Sequence, residues 1–263
     1  MIELEPPLPE AFKALFKPLE NNLSSVSILR GLTKSKIYAD SLDPSWAVTY
    51  SNSRILVAGD IETPELLVAV QRVVDRGIAS GKRGFVIYYS RETKKQVIGK
   101  HISDVKSYPN LRNYYVFEPE GKKQIDLPYG FVIEQISEDL LSERYHNTEL
   151  VENEIISERA SVKDFLDSNF GFCAIQGDSI TAWCTSEYNT GNRFEIGIET
   201  HPDYRRRGLA YHTAIACINH GLKNGYGHIG WHCWKKNEPS NQLALKLDFS
   251  YIMEYPVEYL KVK

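Results

Sequence analysis

The chain has 263 residues, with 31 basic and 34 acidic side chains and a formal net charge of −3 at pH 7. Its hydrophobic content of 42% and charged content of 25% are typical of a globular protein and exclude the disordered and fibrous classes. The slight negative charge argues against nucleic acid as a partner, and the lack of any run of ~18 apolar residues argues against a membrane.

Two features of the sequence predict a cytoplasmic location. Residues 1–12 contain acids and prolines where a signal peptide would have a basic start and an apolar run. No two cysteines form a C-x-x-C pair, so we expect buried, reduced thiols rather than disulfides or a zinc site. The four cysteines are Cys173, Cys184, Cys217 and Cys233.

The first half of the chain alternates between strand and helix patterns. Its clearest helix begins at Thr63 and Pro64, a capping residue followed by proline at the first helical position. The alternation predicts a small parallel sheet with right-handed crossovers between about residues 54 and 117. The predicted elements are a strand at 54–60, a helix from 64, a strand at 84–89, a polar helix after Ser90 and a strand at 113–117.

A cluster of proline, glycine and lysine at residues 118–130 predicts a linker. We therefore divide the chain into an α/β domain at 1–126, for which the sequence indicates no role, and a second domain at 127–263.

The second half is predicted to contain an antiparallel meander followed by two helix–strand units. Ser137 and Ser161 are predicted helix caps. Hairpin turns at Gly177-Asp178 and at residues 189–192 connect the strands of the meander. The later helices are predicted from Leu209 to about Lys223 and at 238–247, each followed by a strand.

Three consecutive arginines, Arg205 to Arg207, stand between a strand that ends at Thr200 and a helix that begins near Leu209. Most short charge runs lie in solvated surface loops. Here, however, unpaired amides and the positive end of a helix point in one direction, and Gly208 lets the main chain approach a bulky group. The arrangement predicts a binding site for a phosphate or pyrophosphate.

The segment THPDYRRRGLA, residues 200–210, resembles motif A of the GNAT superfamily of N-acetyltransferases, whose phosphate loop reads Arg/Gln-x-x-Gly-x-Gly/Ala. Arg205, Gly208 and Ala210 occupy the three positions of that pattern. Residues 237–249, NEPSNQLALKLDF, are similar to the Asn-x-x-Ser/Ala…Lys-Leu-Gly-Phe segment of the family. The resemblance covers about residues 129–263. It implies an α+β GNAT fold, a mixed, mainly antiparallel sheet flanked by helices.

The resemblance also implies acetyl-CoA as co-substrate. Main-chain amides from Arg206 to Ala210 would hold its pyrophosphate, with salt-sensitive help from the arginine side chains. The N–H of Ile198 would polarise the thioester carbonyl, and Thr200 would pair with the pantetheine as if it were another strand. At Gly197 we expect a bulge that separates this strand from the next. The implied CoA contacts are Ile198, Thr200, Arg205, Arg206, Arg207, Gly208, Leu209, Ala210, Asn237 and Ser240.

Alternation along residues 193–200 places Glu195 and Glu199 on one face of a strand, opposite apolar side chains. Some GNAT enzymes have a glutamate base at the position of Glu195, so Glu195 is the first candidate for the general base and Glu199 the second. The alternative is a solvated or ion-paired glutamate on an outward face.

Two positions depart from the family pattern. Asp248 replaces a glycine, which a helix C-terminus tolerates because aspartate can adopt the left-handed conformation. Ala244 stands where many members have a tyrosine that protonates the leaving thiolate. Tyr251 and Tyr255 are the alternatives, and we assign no general acid.

The histidines of the second half do not predict a metal site. His228 and His232 share a strand face, but four residues along a strand span ~13 Å, which is too far for two ligands of one zinc ion. We therefore expect no metal.

Together these patterns predict an acetyl-CoA-dependent N-acetyltransferase in which a primary amine of a small molecule attacks the thioester directly. Residues 195–204 are similar to the bacterial group that includes zwittermicin A resistance acetyltransferase, which favours an aminopolyol-like amine. Two alternatives stay open: a catalytically silent acyl-CoA-binding regulatory module, favoured by Ala244, and a protein or peptide N-acetyltransferase. The sequence does not indicate an oligomeric state.

Overall fold

The structure is a computed structural model that describes residues 1–6, 8–89, 98–117, 124–143 and 145–263. The described residues form two compact units. Unit 1 comprises Met1–Arg112 and Glu254–Lys263, and unit 2 comprises Asn113–Met253. The boundary predicted at 126/127 separates two functional domains. A division into compact units does not test such a boundary, so it stays a prediction.

Unit 1 contains a sheet with strand order β1-β2-β3-β4-β5-β12-β6. Its elements are β1 (Ile2–Leu4), α1 (Glu10–Phe16), α2 (Leu23–Leu29), β2 (Ile37–Ala39), β3 (Trp46–Ser51), β4 (Arg54–Gly59), α3 (Pro64–Ala79), β5 (Gly84–Tyr89), the first part of β6 (Val105–Phe117) and the last part of β12 (Ser250–Val262). Short 3-10 helices occupy Lys17–Leu19 and Ile98–His101.

The predicted parallel sheet of the first half is correct only for β4 and β5, which run parallel and are joined by α3. Strands β1 to β4 are antiparallel neighbours, and the C-terminal strand β12 pairs antiparallel with β5, so that it lies between β5 and β6. The prediction was wrong here because a local pattern identifies a strand but not the strand beside it. The polar helix predicted after Ser90 falls on residues 90–97, outside the described residues, as does part of the predicted linker.

Helix α3 packs its apolar stripe on the sheet of unit 1, where Leu66, Val70 and Val73 are buried. A buried carboxylate, Glu258 on β12, connects three other segments of the same unit. It accepts hydrogen bonds from the hydroxyls of Tyr89 and Ser107 and from the main-chain N–H of Gly99 at 2.9 Å. Burial and then the Glu258 charge raise the pKa of Tyr89 far above its usual value.

Unit 2 contains a sheet with strand order β12-β6-β11-β10-β9-β8-β7. Besides its parts of β6 and β12, the elements are β7 (Val132–Gln135), α4 (Glu138–Ser142), α5 (Thr148–Glu158), α6 (Val162–Ser168), β8 (Gly171–Gln176), β9 (Ser179–Thr190), β10 (Arg193–Thr200), α7 (Leu209–Lys223), β11 (His228–Trp234) and α8 (Glu238–Lys246). Strands β7 to β10 are antiparallel neighbours, whereas β10 and β11 run parallel. This mixed sheet flanked by helices confirms the predicted fold class.

Local predictions for unit 2 are confirmed in detail. The hydroxyl of Ser137 accepts from the Leu140 N–H at 3.2 Å, and that of Ser161 accepts from the Asp164 N–H at 3.1 Å. The four cysteines are buried free thiols, and burial raises the pKa of Cys184 well above its usual value.

No helix within the described ranges is long and apolar enough to cross a membrane. The cytoplasmic location stays a prediction.

Candidate functional site

Strand β10 separates from β11 part-way along its length. The two strands pair only from Arg193 to Glu195, and Glu195 lies opposite Gly230. From Ile196 to Thr200, β10 is paired with β9 alone among the described strands. One edge of β10 is therefore left without a strand partner beyond Glu195.

The main-chain groups of β10 show which amides face this opening. The N–H of His201 donates to the carbonyl of Thr181 on β9 at 2.9 Å. Successive N–H groups of a strand point to alternate edges, so those of Thr200 and Ile198 point away from β9 and into the opening. The Thr200 N–H already contacts the Glu199 carboxylate at 3.3 Å. Two amides therefore face the opening.

The opening does not arise from the predicted bulge at Gly197. Gly197 pairs in register with Thr185, and the register change between β9 and β10 lies between Arg193 and Glu195. The presence of glycine at 197 has another explanation, because a side chain there would collide with the Glu187 carboxylate. The bulge prediction was wrong because a mid-strand glycine also marks close approach by a neighbouring side chain.

The arginine loop connects the end of β10 to helix α7. Arg206 and Gly208 both adopt left-handed conformations, with φ of 64° and 77°. Gly208 is the N-cap of α7 and provides no side-chain cap. Within the described part of the chain, no acceptor is found for the amides from Arg206 to Ala210. Such an arrangement of amides at a helix N-terminus attracts anions.

The three arginine side chains differ in their contacts. Arg205 donates to the Glu199 carboxylate at 3.1 Å and to the Thr200 carbonyl. Arg207 lies over the Tyr204 ring at 5.3 Å. No contact of the Arg206 side chain is found among the described residues, and this side chain is exposed. Arg206 is therefore the arginine whose charge is most available to an anion.

The buried end of β10 carries the other glutamate. Glu195 is 5% exposed, and its Oε1 lies 3.4 Å from Nε2 of His232 on β11. The imidazole of His232 stacks on the Tyr114 ring, with centroids 4.3 Å apart and planes 9° from parallel. Gly230 leaves room for this cluster, since a Cβ there would lie 3.2 Å from Cγ of Glu195.

A second carboxylate lies beside Glu195. Glu187 on β9 is directly opposite Glu195 and is also buried. Residues directly opposite on antiparallel strands have side chains on the same face. Burial first, and then the Glu195 charge, raise the pKa of Tyr114 to about 12, whereas the Arg193 charge opposes this shift. The beginning of the opening is therefore a buried, mainly acidic environment.

The family model described as GNAT acetyltransferase matches residues 13–258 of this chain. The chain belongs to the GNAT acetyltransferase family. A Bacillus subtilis (strain 168) protein named "Uncharacterized N-acetyltransferase YdfB" is 29% identical over 236 residues, which cover 89% of this chain and 88% of that protein. This chain is therefore an acyltransferase enzyme of a family that generally uses acetyl-CoA.

Solved GNAT structures have the same fold at low sequence identity. A GCN5-related N-acetyltransferase-like protein from Streptococcus suis 89/1591 has a TM-score of 0.68 at 19% identity, covering 95% of this chain and all of that one. A GCN5-related N-acetyltransferase from Sphaerobacter thermophilus has a TM-score of 0.60 at 11% identity, covering 100% and 96%. The GNAT match thus extends into unit 1, where the sequence motifs indicated no family. The narrower likeness to zwittermicin A resistance acetyltransferase stays a prediction.

The GNAT segment at 237–249 has structural roles in this chain. The Asn237 side chain caps α8 by accepting from the Ser240 N–H at 3.3 Å, and the Ser240 hydroxyl accepts from Nε1 of Trp231. Ala244 is fully buried in the core. Its side chain thus points away from solvent. Tyr251, an alternative acid, is half exposed and packs edge-on against Tyr115.

The sequence alone does not single out three polar residues near Glu195: Glu187, His232 and Tyr114. His232 was considered only as a zinc ligand, and within the described ranges no metal-binding group of histidine, cysteine, aspartate or glutamate is found. Tyr114 falls within the strand that the sequence predicts at 113–117. The hairpin at 189–192 indicates that β9 folds back along β10, but its regular register would place Tyr188 rather than Glu187 opposite Glu195.

Proposed function

We propose that the protein transfers the acetyl group of acetyl-CoA to a primary amine of a small molecule. The observation that carries this proposal is the separation of β10 from β11. Along the chain, the opening begins at a buried carboxylate, Glu195, and is followed by a loop at 206–210 whose amides have no acceptor among the described residues. One end suits proton removal and the other suits a diphosphate.

The pyrophosphate of CoA would lie on the arginine loop. The amides from Arg206 to Ala210 and the N-terminus of α7 provide partial positive charge without requiring side-chain movement. A Cβ on Gly208 would meet only the His212 ring, at 3.9 Å, so the space above this glycine is open. These features fit a diphosphate held by main-chain atoms, with the Arg206 side chain adding a screened attraction.

The remainder of the co-substrate would lie along the free edge of β10. Acetyl-CoA supplies an acetyl group that is activated as a thioester. The N–H of Ile198 would donate to the thioester oxygen and stabilise the negative charge that develops there. Thr200 would pair with the pantetheine once its N–H leaves the exposed Glu199 carboxylate. Asn237 at the N-cap of α8 and Ser240 on α8 are further proposed contacts.

Glu195 would act as the general base. An alkylammonium ion cannot attack a thioester until it loses a proton, and a carboxylate at the start of the opening can accept that proton directly or through water. The two adjacent carboxylates, Glu187 and Glu195, would also attract a cationic acceptor. Burial raises the pKa of the Cys173 and Cys184 thiols, so neither is an activated nucleophile and the amine would attack directly.

Glu199 is the weaker candidate for the base. It is half exposed and paired with Arg205, which is the environment of an ordinary surface ion pair. No general acid is proposed, since the alanine at position 244 has no titratable group. The CoA thiolate would leave without an enzyme acid.

Thermal shift with CoA followed by an acceptor screen tests the proposal. We expect CoA to raise the melting temperature, and acetyl-CoA to release free thiol with at least one amine from a panel of polyamines, aminoglycosides and amino acids. Absence of any CoA-induced shift would refute it. Binding without turnover would identify an acyl-CoA-binding module, and turnover on peptides alone would identify a peptide N-acetyltransferase.

A further inference from the structure

We infer that His232 is a positioning residue for the Glu195 carboxylate, an inference that rests on the proposed function. Nε2 of His232 lies 3.4 Å from Oε1 of Glu195, and both side chains are more than nine-tenths buried. This distance is long for a hydrogen bond. Catalytic contacts are commonly long in free enzymes and shorten when substrate binds.

Strand geometry explains why these two residues meet. Glu195 is the last residue of β10 that pairs with β11, and it lies opposite Gly230. His232 is two residues beyond Gly230 and therefore lies on the same face of β11. The missing side chain at Gly230 lets Glu195 extend across β11 towards the imidazole, since a Cβ there would lie 3.2 Å from Cγ of Glu195.

The imidazole is fixed from its other side. Tyr114 on β6 stacks on the His232 ring at 4.3 Å, and the Tyr114 hydroxyl contacts Nε2 of His228 at 3.0 Å. A buried ring that is stacked on an aromatic face has little freedom to rotate. His232 would therefore present Nε2 to Glu195 in one orientation, whatever the acceptor.

As a chemical consequence, the two carboxylate oxygens of Glu195 would have different roles. Nε2–H of His232 would donate to Oε1 of Glu195. The other oxygen, Oε2, would then be directed to the ammonium group and would take its proton: one N–H bond of the acceptor breaks and one O–H bond forms. Among the described residues, Glu187, Arg193, Tyr114 and His228 are further charged or titratable groups of this cluster.

Two variants separate positioning from simple packing. His232→Gln keeps an N–H donor near the place of Nε2, whereas His232→Leu removes the donor and fills the space. We expect His232→Leu to lower kcat about 10- to 100-fold, below the full effect of a missing base, with KM and CoA affinity little changed. His232→Gln should recover most of this loss. Activity is measured with the amine that the parent acetylates fastest in the screen.

A matched control and a double variant complete the experiment. His220→Gln changes a half-buried histidine that packs on Phe170, outside this cluster, and it should keep the parent kcat. Because His232 acts through Glu195, adding His232→Leu to Glu195→Gln should cause no further loss.

The inference would be overturned if folded His232→Leu kept the parent kcat, if glutamine rescued no better than leucine, or if the two losses multiplied in the double variant. Should His232→Leu fail to fold, the same comparisons are made with His232→Met, which also lacks an N–H donor, and the same results would overturn the inference. Failure of the parent to bind CoA or to acetylate any amine would instead refute the proposed function.

Discussion

The two ends of β10 carry the same residue type in different environments. Glu195 and Glu199 are four residues apart on one face of the strand. Glu195 is buried and lies beside His232, whose side chain is only 7% exposed. Glu199 is half exposed and pairs with Arg205, whose side chain is 58% exposed.

The difference shows that strand face alone does not identify a functional carboxylate. An exposed ion pair is screened by water and contributes about 0–1 kcal/mol to stability, so the Glu199–Arg205 pair requires no functional explanation. A carboxylate kept in a buried environment is costly unless neighbouring groups compensate for it. The acidic cluster around Glu195 therefore requires an explanation, and proton removal from an amine provides one.

The largest expected effect comes from removing the charge at the buried end. Glu195→Gln should lower turnover at neutral pH on the order of 10² to 10⁴-fold, because the ammonium acceptor loses its base. CoA binding should be unchanged, since Glu195 does not contact the arginine loop. Activity should recover in part at higher pH, where more of the acceptor is already neutral. Steady-state rates and CoA titrations measure these effects.

Glu199→Gln is the matched control at the exposed end. We expect it to keep most of the parent activity. Loss of activity in Glu199→Gln but not in Glu195→Gln would reverse the assignment of the two ends. Full activity in both variants would show that solvent, rather than either carboxylate, removes the proton from the acceptor amine.

The next largest effect concerns CoA affinity at the loop that follows β10. Gly208→Val should abolish the CoA-induced stabilisation, which is ~2.7 kcal/mol at a hundredfold excess over Kd. Valine disfavours the left-handed conformation and fills the space above the loop. Gly225→Val is the control, because Gly225 also has a positive φ and open surroundings but follows the other end of α7. CoA binding retained by folded Gly208→Val would exclude this loop as the site.

A smaller effect is expected from the arginines. Arg206→Ala should weaken CoA binding modestly and reduce its dependence on salt concentration, because an exposed charge acts through screened attraction. Arg205→Ala and Arg207→Ala should change the salt dependence less, since Glu199 and Tyr204 already engage those side chains. Calorimetric titration at low and high salt measures the difference. An equal salt response in the parent and all three variants would show that the arginines belong to an ordinary surface loop with no role in CoA binding.

The smallest effect is on stability at alkaline pH. Tyr114 has its pKa raised to about 12 by burial and then by the Glu195 charge. A raised folded-state pKa contributes stability below the unfolded value of about 10, and this contribution is lost as pH rises from there through the folded value. Between about pH 9 and about pH 11, the free energy of unfolding should therefore fall less in Tyr114→Phe than in the parent.

Urea unfolding at the two pH values measures this difference, with the exposed Tyr251→Phe as control. An identical pH dependence in the parent and in Tyr114→Phe would contradict the assigned environment of the buried end.

Local features of this molecule were predictable from the sequence, whereas partners across the sheet were not. The caps at Ser137 and Ser161, the meander of unit 2 and the helix after Gly208 all depend on short-range geometry, and they were predicted. The position of β12 beside β5 depends on pairing between distant segments, which no local pattern encodes.

The same limit explains why the neighbours of Glu195 were missed. A regular hairpin would pair Thr190 with Arg193 and place Tyr188 opposite Glu195. The register change after Arg193 places Glu187 there instead. One extra residue thus decides whether a tyrosine or a carboxylate lies beside the proposed base.

The most direct test of the central claim is a crystal structure of the protein with CoA. We predict that the pyrophosphate contacts the amides between Arg206 and Ala210, and that the pantetheine lies along β10 with the thiol end near the Ile198 N–H. Glu195 should lie close to the thiol without contacting the phosphates. CoA bound elsewhere, or with its pyrophosphate away from this loop, would contradict the account.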